Sequence, residues 1–141
     1  GLWLPTQTVF LDNRPMARQT GFYVLTPLRL TGSDRVVLVQ RGWVARNFQD
    51  RTQLPSVTTS ADAEVRIQGR VALSPSRLYE FQGGDSAQGS SRIRQNLDLE
   101  TFRNETGLPL RTDISLQQVG AASEGLQREW PAPALGIAVT V

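Results

Sequence analysis

The sequence predicts a mainly β domain of the α+β type, in which an antiparallel sheet or a partly closed β-barrel is covered by one helix. Residues 22–44 read as two apolar strands joined by a turn at residues 31–34, where a glycine and short polar side chains favour a reversal. Residues 64–73 alternate apolar and polar side chains, which is typical of a strand with one solvated face. Residues 97–106 carry the clearest helix signals.

The beginning of the chain carries strand signals as well. Residues 1–5 are short and apolar, and residues 8–11 read as a strand that ends at the polar residues 12–15. Pro27 lies inside the first strand of the central hairpin. Because proline cannot donate a ladder hydrogen bond, we expect that strand to lie at a sheet edge or to be bulged near Pro27.

The helix at residues 97–106 has a start and a stop. Asp98 can cap its first turn, and Gly107 is well placed to end it. Its apolar face is narrow, so we expect it to cover the sheet. Further strands are predicted at residues 108–118 and 135–141.

Two polar stretches, residues 49–60 and 83–91, are predicted to be mobile because they offer almost nothing to bury. The second stretch is rich in glycine and serine. It is no phosphate-binding loop, since no predicted strand leads into it and no lysine follows it.

The composition excludes several kinds of chemistry. The 141 residues contain no cysteine and no histidine, which removes disulfides, thiol nucleophiles, histidine acid–base catalysis and the usual zinc sites. The formal net charge is +2, and the arginines are scattered, so nucleic acid is not indicated as a partner. No nucleophile has an evident base. The residues therefore predict a binding or interaction module without catalytic residues and without a metal site.

The end of the second hairpin strand carries the most distinctive motif, Arg41-Gly42-Trp43. A glycine inside a strand marks a bulge or a close backbone approach. Two interpretations follow. In the structural one, Trp43 fills the mouth of a barrel and Arg41 pairs with a carboxylate. In the functional one, the bulge directs Arg41 and Trp43 toward a partner, which makes the three residues a candidate partner-binding site.

The order of motifs resembles the surfeit locus protein 1 family. The combination of a Gly-aromatic-x-Val-x-Thr-Pro stretch with Arg-Gly-Trp-Val is specific, whereas either half alone is weak. The first stretch supplies the structural motif residues Gly21, Tyr23, Thr26 and Pro27. Further agreement lies in the segments 11–14, 37–44, 65–71, 96–99 and 106–107, so that the resemblance spans residues 8–118.

The resemblance implies a membrane protein with a transmembrane helix at each end and a soluble domain between them. Such proteins assist assembly of cytochrome c oxidase, around delivery of haem a to its catalytic subunit. Residues 1–141 would then be one soluble domain on the periplasmic side of a bacterial inner membrane. The chain begins without methionine and ends in an apolar run, and we expect the flanking helices to lie outside it.

The resemblance also concerns the cofactor. Bacterial members bind haem a through a histidine near the second transmembrane helix, and this sequence has no histidine. We therefore expect no cofactor in this domain, while haem a remains possible for the full-length protein. Gln40 stands where the family usually has asparagine. The competing class is an envelope ligand-binding β-barrel for a small apolar molecule, which a deep apolar cavity would favour.

Overall fold

The structure is a computed structural model and describes residues 1–16, 18–45, 57, 59, 63–72, 92–130 and 136–141. These residues form eight strands, one α-helix and a short 3₁₀ turn at Pro5–Gln7. The regular elements in chain order are β1 Leu2–Trp3, β2 Val9–Met16, β3 Gln19–Arg29, β4 Val36–Ala45, β5 Gln68–Ala72, β6 Ile93–Arg94, α1 Leu99–Thr106, β7 Ser115–Gln118 and β8 Ala138–Thr140.

All eight strands belong to one mixed sheet. Its order is β6-β2-β3-β4-β7-β5-β8, and β1 pairs with one end of β3. Most neighbours are antiparallel, but β2 pairs with β6 and β4 pairs with β7 in parallel. The mainly β class with one helix is confirmed. Within the described residues the sheet is open, with β6 and β8 at its edges, so the open sheet rather than the barrel is the form observed.

The predicted central hairpin forms the middle of the sheet. Strands β3 and β4 pair in antiparallel register from Gly21 opposite Ala45 to Arg29 opposite Val36. Residues 36–43 are all buried, as expected for a strand that is apolar on both parities and covered on both faces. The hairpin therefore positions the Arg41-Gly42-Trp43 motif inside the domain.

Pro27 is accommodated differently from the prediction of an edge strand, because β3 lies inside the sheet. The Pro27 carbonyl accepts a hydrogen bond from the Leu4 N–H at 2.9 Å. The nitrogen and carbonyl of a strand residue face the same neighbour, so the missing donor of Pro27 faces this side as well. There the chain leaves the ladder in the 3₁₀ turn Pro5–Gln7. The prediction of a bulge in the strand that contains Pro27 is wrong as well: the register shift at Val24 and Leu25 has its extra residue on β4, and Pro27 pairs regularly with Leu38.

The predicted capping residues of helix α1 are confirmed. The Asp98 side chain accepts a hydrogen bond from the Thr101 N–H at 3.0 Å. Gly107, with φ of 70°, ends the helix, and its N–H donates to the Arg103 carbonyl at 2.9 Å. The buried face of α1 packs with apolar residues of β2, β3 and β4, namely Val9, Leu11, Leu25, Val36 and Leu38. The helix thus covers one face of the central hairpin, as expected.

Several observed strands are shorter or longer than predicted from the apolar patterns of the sequence. Residues 64–67 are not strand, although the backbones of Val65 and Ile67 exchange hydrogen bonds with those of Gly1 and Val141. The predicted strands at residues 108–118 and 135–141 are observed only as β7 and β8. Strand β2 continues through the polar residues 12–15, where the register shifts. The two stretches predicted to be mobile lie outside the described residues: 83–91 entirely, and 49–60 except for positions 57 and 59.

Candidate functional site

The Arg41-Gly42-Trp43 motif forms a β-bulge in the centre of the sheet. Val24 of β3 lies opposite Gly42, whereas the next residue, Leu25, lies opposite Gln40. Arg41 is therefore the extra residue on β4, and the local ladder is interrupted there. The bulge predicted from the glycine is present.

Arg41 is fully buried, with 0 % of its side chain exposed. Its Nη2 donates to Glu124 Oε2 at 2.9 Å. Its Nη1 donates to Thr59 Oγ1 at 2.7 Å and to Thr26 Oγ1 at 3.3 Å. The guanidinium carbon lies 4.7 Å from the centroid of the Trp3 ring. Burial lowers the pKa of Arg41, and the charge of Glu124 opposes that effect. The predicted pairing of Arg41 with a carboxylate is confirmed.

Trp43 is part of the interior, with 1 % of its surface exposed. Its Nε1 donates to the Arg14 carbonyl at 2.8 Å, and its ring packs in a cluster with Met16 and Trp130. Trp43 therefore fills the core, as the structural interpretation expects. Neither Trp43 nor Arg41 presents its side chain to solvent in this conformation, and their contact with a partner stays a prediction.

A segment from residue 119 to residue 130, here called the cover segment, lies directly on the bulge. The Trp43 N–H donates to the Gln127 carbonyl at 2.8 Å, and the Gln127 N–H donates to the Trp43 carbonyl at 2.9 Å. A Cβ on Gly42 would lie 2.7 Å from Gln127 O and 2.9 Å from Leu126 Cβ. Gly42 also has φ of 155°. Glycine is therefore required at this position for the close approach of two backbones.

A second arginine, Arg128, completes the site from the cover segment. Only 3 % of its side chain is exposed. Its Nε donates to the Arg41 carbonyl at 2.7 Å, and its Nη1 donates to the Ala121 carbonyl and to Ser123 Oγ, each at 2.7 Å. Its Nη2 lies 3.9 Å from Glu124 Oε1. The Glu124 carboxylate thus lies between two buried guanidinium groups.

Glu124 and Arg128 were not identified from the sequence, because residues 119–130 show no strand or helix pattern. The available signal was local. Residues 123–125, Ser-Glu-Gly, have the composition of a tight turn. Nothing in that turn indicates that Glu124 pairs with a residue 83 positions away.

The motif residues of β3 lie beside the bulge. A Cβ on Gly21 would collide with the Val44 carbonyl and lie 2.7 Å from Cε2 of the Trp43 ring. The Tyr23 ring meets the Trp130 ring edge to face, with centroids 5.1 Å apart. Besides its contact with Arg41, Thr26 Oγ1 lies 2.9 Å from Thr8 Oγ1 in a buried hydrogen bond. Gly21, Tyr23 and Thr26 therefore lie next to the bulge on the neighbouring strand, whereas Pro27 pairs with Leu38 farther along it.

A pocket of about 130 Å³ opens between the 3₁₀ turn, β6 and the end of α1. Arg94 Nη1 and Nη2 donate to Glu105 Oε1 and Oε2 at 3.2 and 2.6 Å on its wall. Its other lining residues are Thr6, Gln7, Thr8, Val9, Arg92, Phe102 and Thr106. The pocket is small and largely polar, so it is not the deep apolar cavity that the ligand-binding class requires.

Axial ligands of haem iron are histidine, methionine, cysteine or tyrosine, and among the described residues Met16 and Tyr23 are of these types. Met16 is 2 % exposed and packs against Trp43, and Tyr23 packs against Trp130. Tyr79 lies outside the described residues. In the part of the chain that the structure describes, no three side chains of metal-binding type come together.

The fold and the bulge define a small mainly β domain. The Arg41-Gly42-Trp43 motif lies within its sheet and is covered by the cover segment. A family model described as the SURF1 family matches residues 1–139, and the chain belongs to this family. The family is known for cytochrome c oxidase assembly factors rather than enzymes. The comparisons with curated proteins and with solved structures gave no match.

The family is membrane-associated in its assembly role. Among the helices that the structure describes, none is long and apolar enough to span a bilayer.

Proposed function

We propose that this chain is the periplasmic domain of a bacterial assembly factor that assists haem a insertion into, or maturation of, the catalytic subunit of cytochrome c oxidase. The observation that carries the proposal is the family match over residues 1–139. Flanking helices would hold the domain at the inner membrane, in keeping with the membrane association of the family.

The domain acts through contact rather than through chemistry. Its motif residues Arg41, Gly42 and Trp43 lie under the cover segment, whose exposed residues are 120–125, 127 and 129. We assign the motif an indirect role in partner binding: the bulge fixes the cover segment, and the oxidase subunit meets the cover segment.

Haem a belongs to the flanking membrane segments in this proposal. Support comes from the side chains of the domain, since Met16 and Tyr23 are committed to packing and the sequence has no histidine or cysteine. The domain would position the oxidase subunit while the cofactor is held elsewhere. The alternative class, a barrel for a small apolar ligand, gains no support from the open sheet or from the polar pocket.

Deletion of the gene in its host tests the function. We expect membranes of the deletion strain to lose the haem a absorbance band and most of their oxidase activity, and we expect the wild-type gene to restore both. A control deletion strain carrying the gene with a stop codon early in the domain should stay deficient. Unchanged haem a spectra together with unchanged oxidase activity would refute the assignment.

A further inference from the structure

The tip of the cover segment, residues 121–125, carries a carboxylate that Arg41 and Arg128 share. All five residues of the tip are exposed. The large apolar side chains that anchor the segment follow the tip, since Leu126 is 1 % and Trp130 is 8 % exposed. The tip can therefore move away from the sheet while the anchors stay in the core.

Glu124 has a backbone conformation that glutamate rarely adopts. Its φ is 57°, and that of Gly125 is 77°. Ser123 and Leu126 exchange backbone hydrogen bonds on either side of them, at 3.2 and 2.9 Å. Positive φ at both central residues is typical of two-residue hairpin turns that prefer asparagine or glycine. Turn propensity thus does not select glutamate here, whereas the contact of its carboxylate with Arg41 does.

Arg41 has other contacts besides the one with Glu124. The Thr59 and Thr26 hydroxyl groups accept from its Nη1, and the Trp3 ring lies against the guanidinium. Arg128 can keep its Nε hydrogen bond to the Arg41 carbonyl when the tip moves, because both atoms lie outside the tip, whereas its two Nη1 hydrogen bonds go to Ala121 and Ser123 of the tip and would be broken. Two guanidinium groups are therefore fixed in place around the position of one carboxylate.

Arg128 has room for a further acceptor. Within the described residues its buried Nη2 has no hydrogen-bond partner, and the 3.9 Å to Glu124 Oε1 is too long for a hydrogen bond. A buried N–H without an acceptor is unfavourable, and a carboxylate placed between Arg41 and Arg128 would remove that penalty. Burial also lowers the pKa of Arg128, and an added negative charge would oppose this effect.

We propose that Arg41 and Arg128 form a binding site for an acidic side chain of the protein partner, and that Glu124 occupies this site until the partner arrives. The partner carboxylate replaces that of Glu124, and the tip turns outward. Arg128 Nη2 gains an acceptor in this exchange, and the partner also supplies an acceptor for Nη1 in place of the Ala121 carbonyl and the Ser123 hydroxyl. The proposal rests on the proposed function only for the identity of the partner. The chemistry of the site stands on the chain itself.

Acetate serves as the probe for the site in the isolated 141-residue chain. The Nε–Hε signals of Arg41 and Arg128 are followed by NMR while sodium acetate replaces sodium chloride at constant ionic strength. In Glu124→Gln we expect saturable shifts of both signals, with an apparent affinity at least about tenfold above that of the wild type, since the internal competitor is gone. Glu129→Gln is the matched control, because Glu129 is an exposed neighbour, and it should behave like the wild type.

Three outcomes overturn the proposal. The first is no saturable response in Glu124→Gln, and the second is an equal response in Glu129→Gln. The variant Glu124→Asn guards against misfolding, because asparagine tolerates positive φ. The third outcome is loss of the fold in both position-124 variants, which would make Glu124 an irreplaceable structural ion-pair partner rather than an occupant.

Co-purification from host membranes tests the partner. With the full-length protein, Glu124→Gln should raise recovery of the oxidase catalytic subunit by about threefold or more, and Arg128→Gln should lower it. If the wild type recovers the subunit and Glu124→Gln does not raise the yield, the site proposal fails and the function stands. If no version recovers the subunit, as in a mock purification, while the acetate response is present, the proposed function fails and the site stands.

Discussion

At Gly42 the backbones of β4 and the cover segment approach each other too closely for a residue with a Cβ atom. The variant Gly42→Val would place a Cβ 2.7 Å from Gln127 O, at a residue whose φ is 155°. We expect the free energy of unfolding to fall by at least about 1 kcal/mol, measured by urea denaturation followed by circular dichroism. Gly32→Val is the control, since Gly32 has φ of 76° but nothing within 4 Å of its Cβ position. Equal losses in the two variants would contradict the close approach.

Substitution of Trp43 should lower the free energy of unfolding by more. Because its side chain is 1 % exposed and packs with Met16 and Trp130, Trp43→Ala should destabilise the domain by about 3–5 kcal/mol. Trp43→Phe keeps the aromatic packing and loses the hydrogen bond to the Arg14 carbonyl, so it should lose less. Thermal and urea unfolding measure both. A stable, well-folded Trp43→Ala domain would show that this ring contributes little to the core.

The limits of sequence reasoning are visible at this motif. The glycine between an arginine and a tryptophan predicts the bulge. Burial of Trp43 and pairing of Arg41 with a carboxylate belong to one of the two interpretations that the sequence left open. The identity of that carboxylate does not follow. Glu124 lies 83 positions from Arg41 in a turn whose own preferences favour a different residue.

At the scale of elements, the hairpin and the helix were predictable and the cover segment was not. Strands β3 and β4 and helix α1 have strong turn or cap signals next to their apolar patterns. The cover segment has neither a helical nor an alternating pattern. The contacts that hold it include a pair of backbone hydrogen bonds with Trp43, the hydrogen bond from Arg128 to the Arg41 carbonyl and two buried side chains, Leu126 and Trp130. Such contacts leave no periodic signal in the sequence.

The cap of α1 gives a prediction for this element. Asp98→Ala removes the acceptor of the Thr101 N–H and should lower the free energy of unfolding by about 1 kcal/mol. Asp98→Asn is the control, because asparagine caps helices about as well as aspartate does. Both variants are compared by chemical denaturation. A loss in Asp98→Asn as large as that in Asp98→Ala would assign the effect to charge rather than to capping.

At the scale of the whole molecule, the sequence predicts a mainly β domain but not the strand order. The parallel pairs β2–β6 and β4–β7 join strands that are far apart in the chain. Strand β6 is Ile93–Arg94 and its pairing with β2 spans two residue pairs, too few for an alternating pattern. The predicted antiparallel arrangement therefore holds for every strand pair except these two.

Haem titration tests the proposal that the flanking membrane segments, and not this domain, bind haem a. Titration of haem into the 141-residue chain should leave the Soret band of free haem unshifted, because Met16 and Tyr23 are held in packing contacts. Tyr23→Phe and Met16→Leu are the matched variants. A saturable, stoichiometric, red-shifted band that disappears in either variant would make this domain itself a haem carrier.

Strand β5 has a consequence for the order of events during synthesis. Both of its neighbours, β7 and β8, are made after it, and Ile67 just before it bonds to Val141. At roughly 5–20 residues per second, a ribosome takes a few seconds to pass from β5 to the end of β7. The β3–β4 hairpin, whose strands are joined by a short turn, can pair during that interval. Strand β5 has to wait for its neighbours, so this sheet is completed only after β8 has been made.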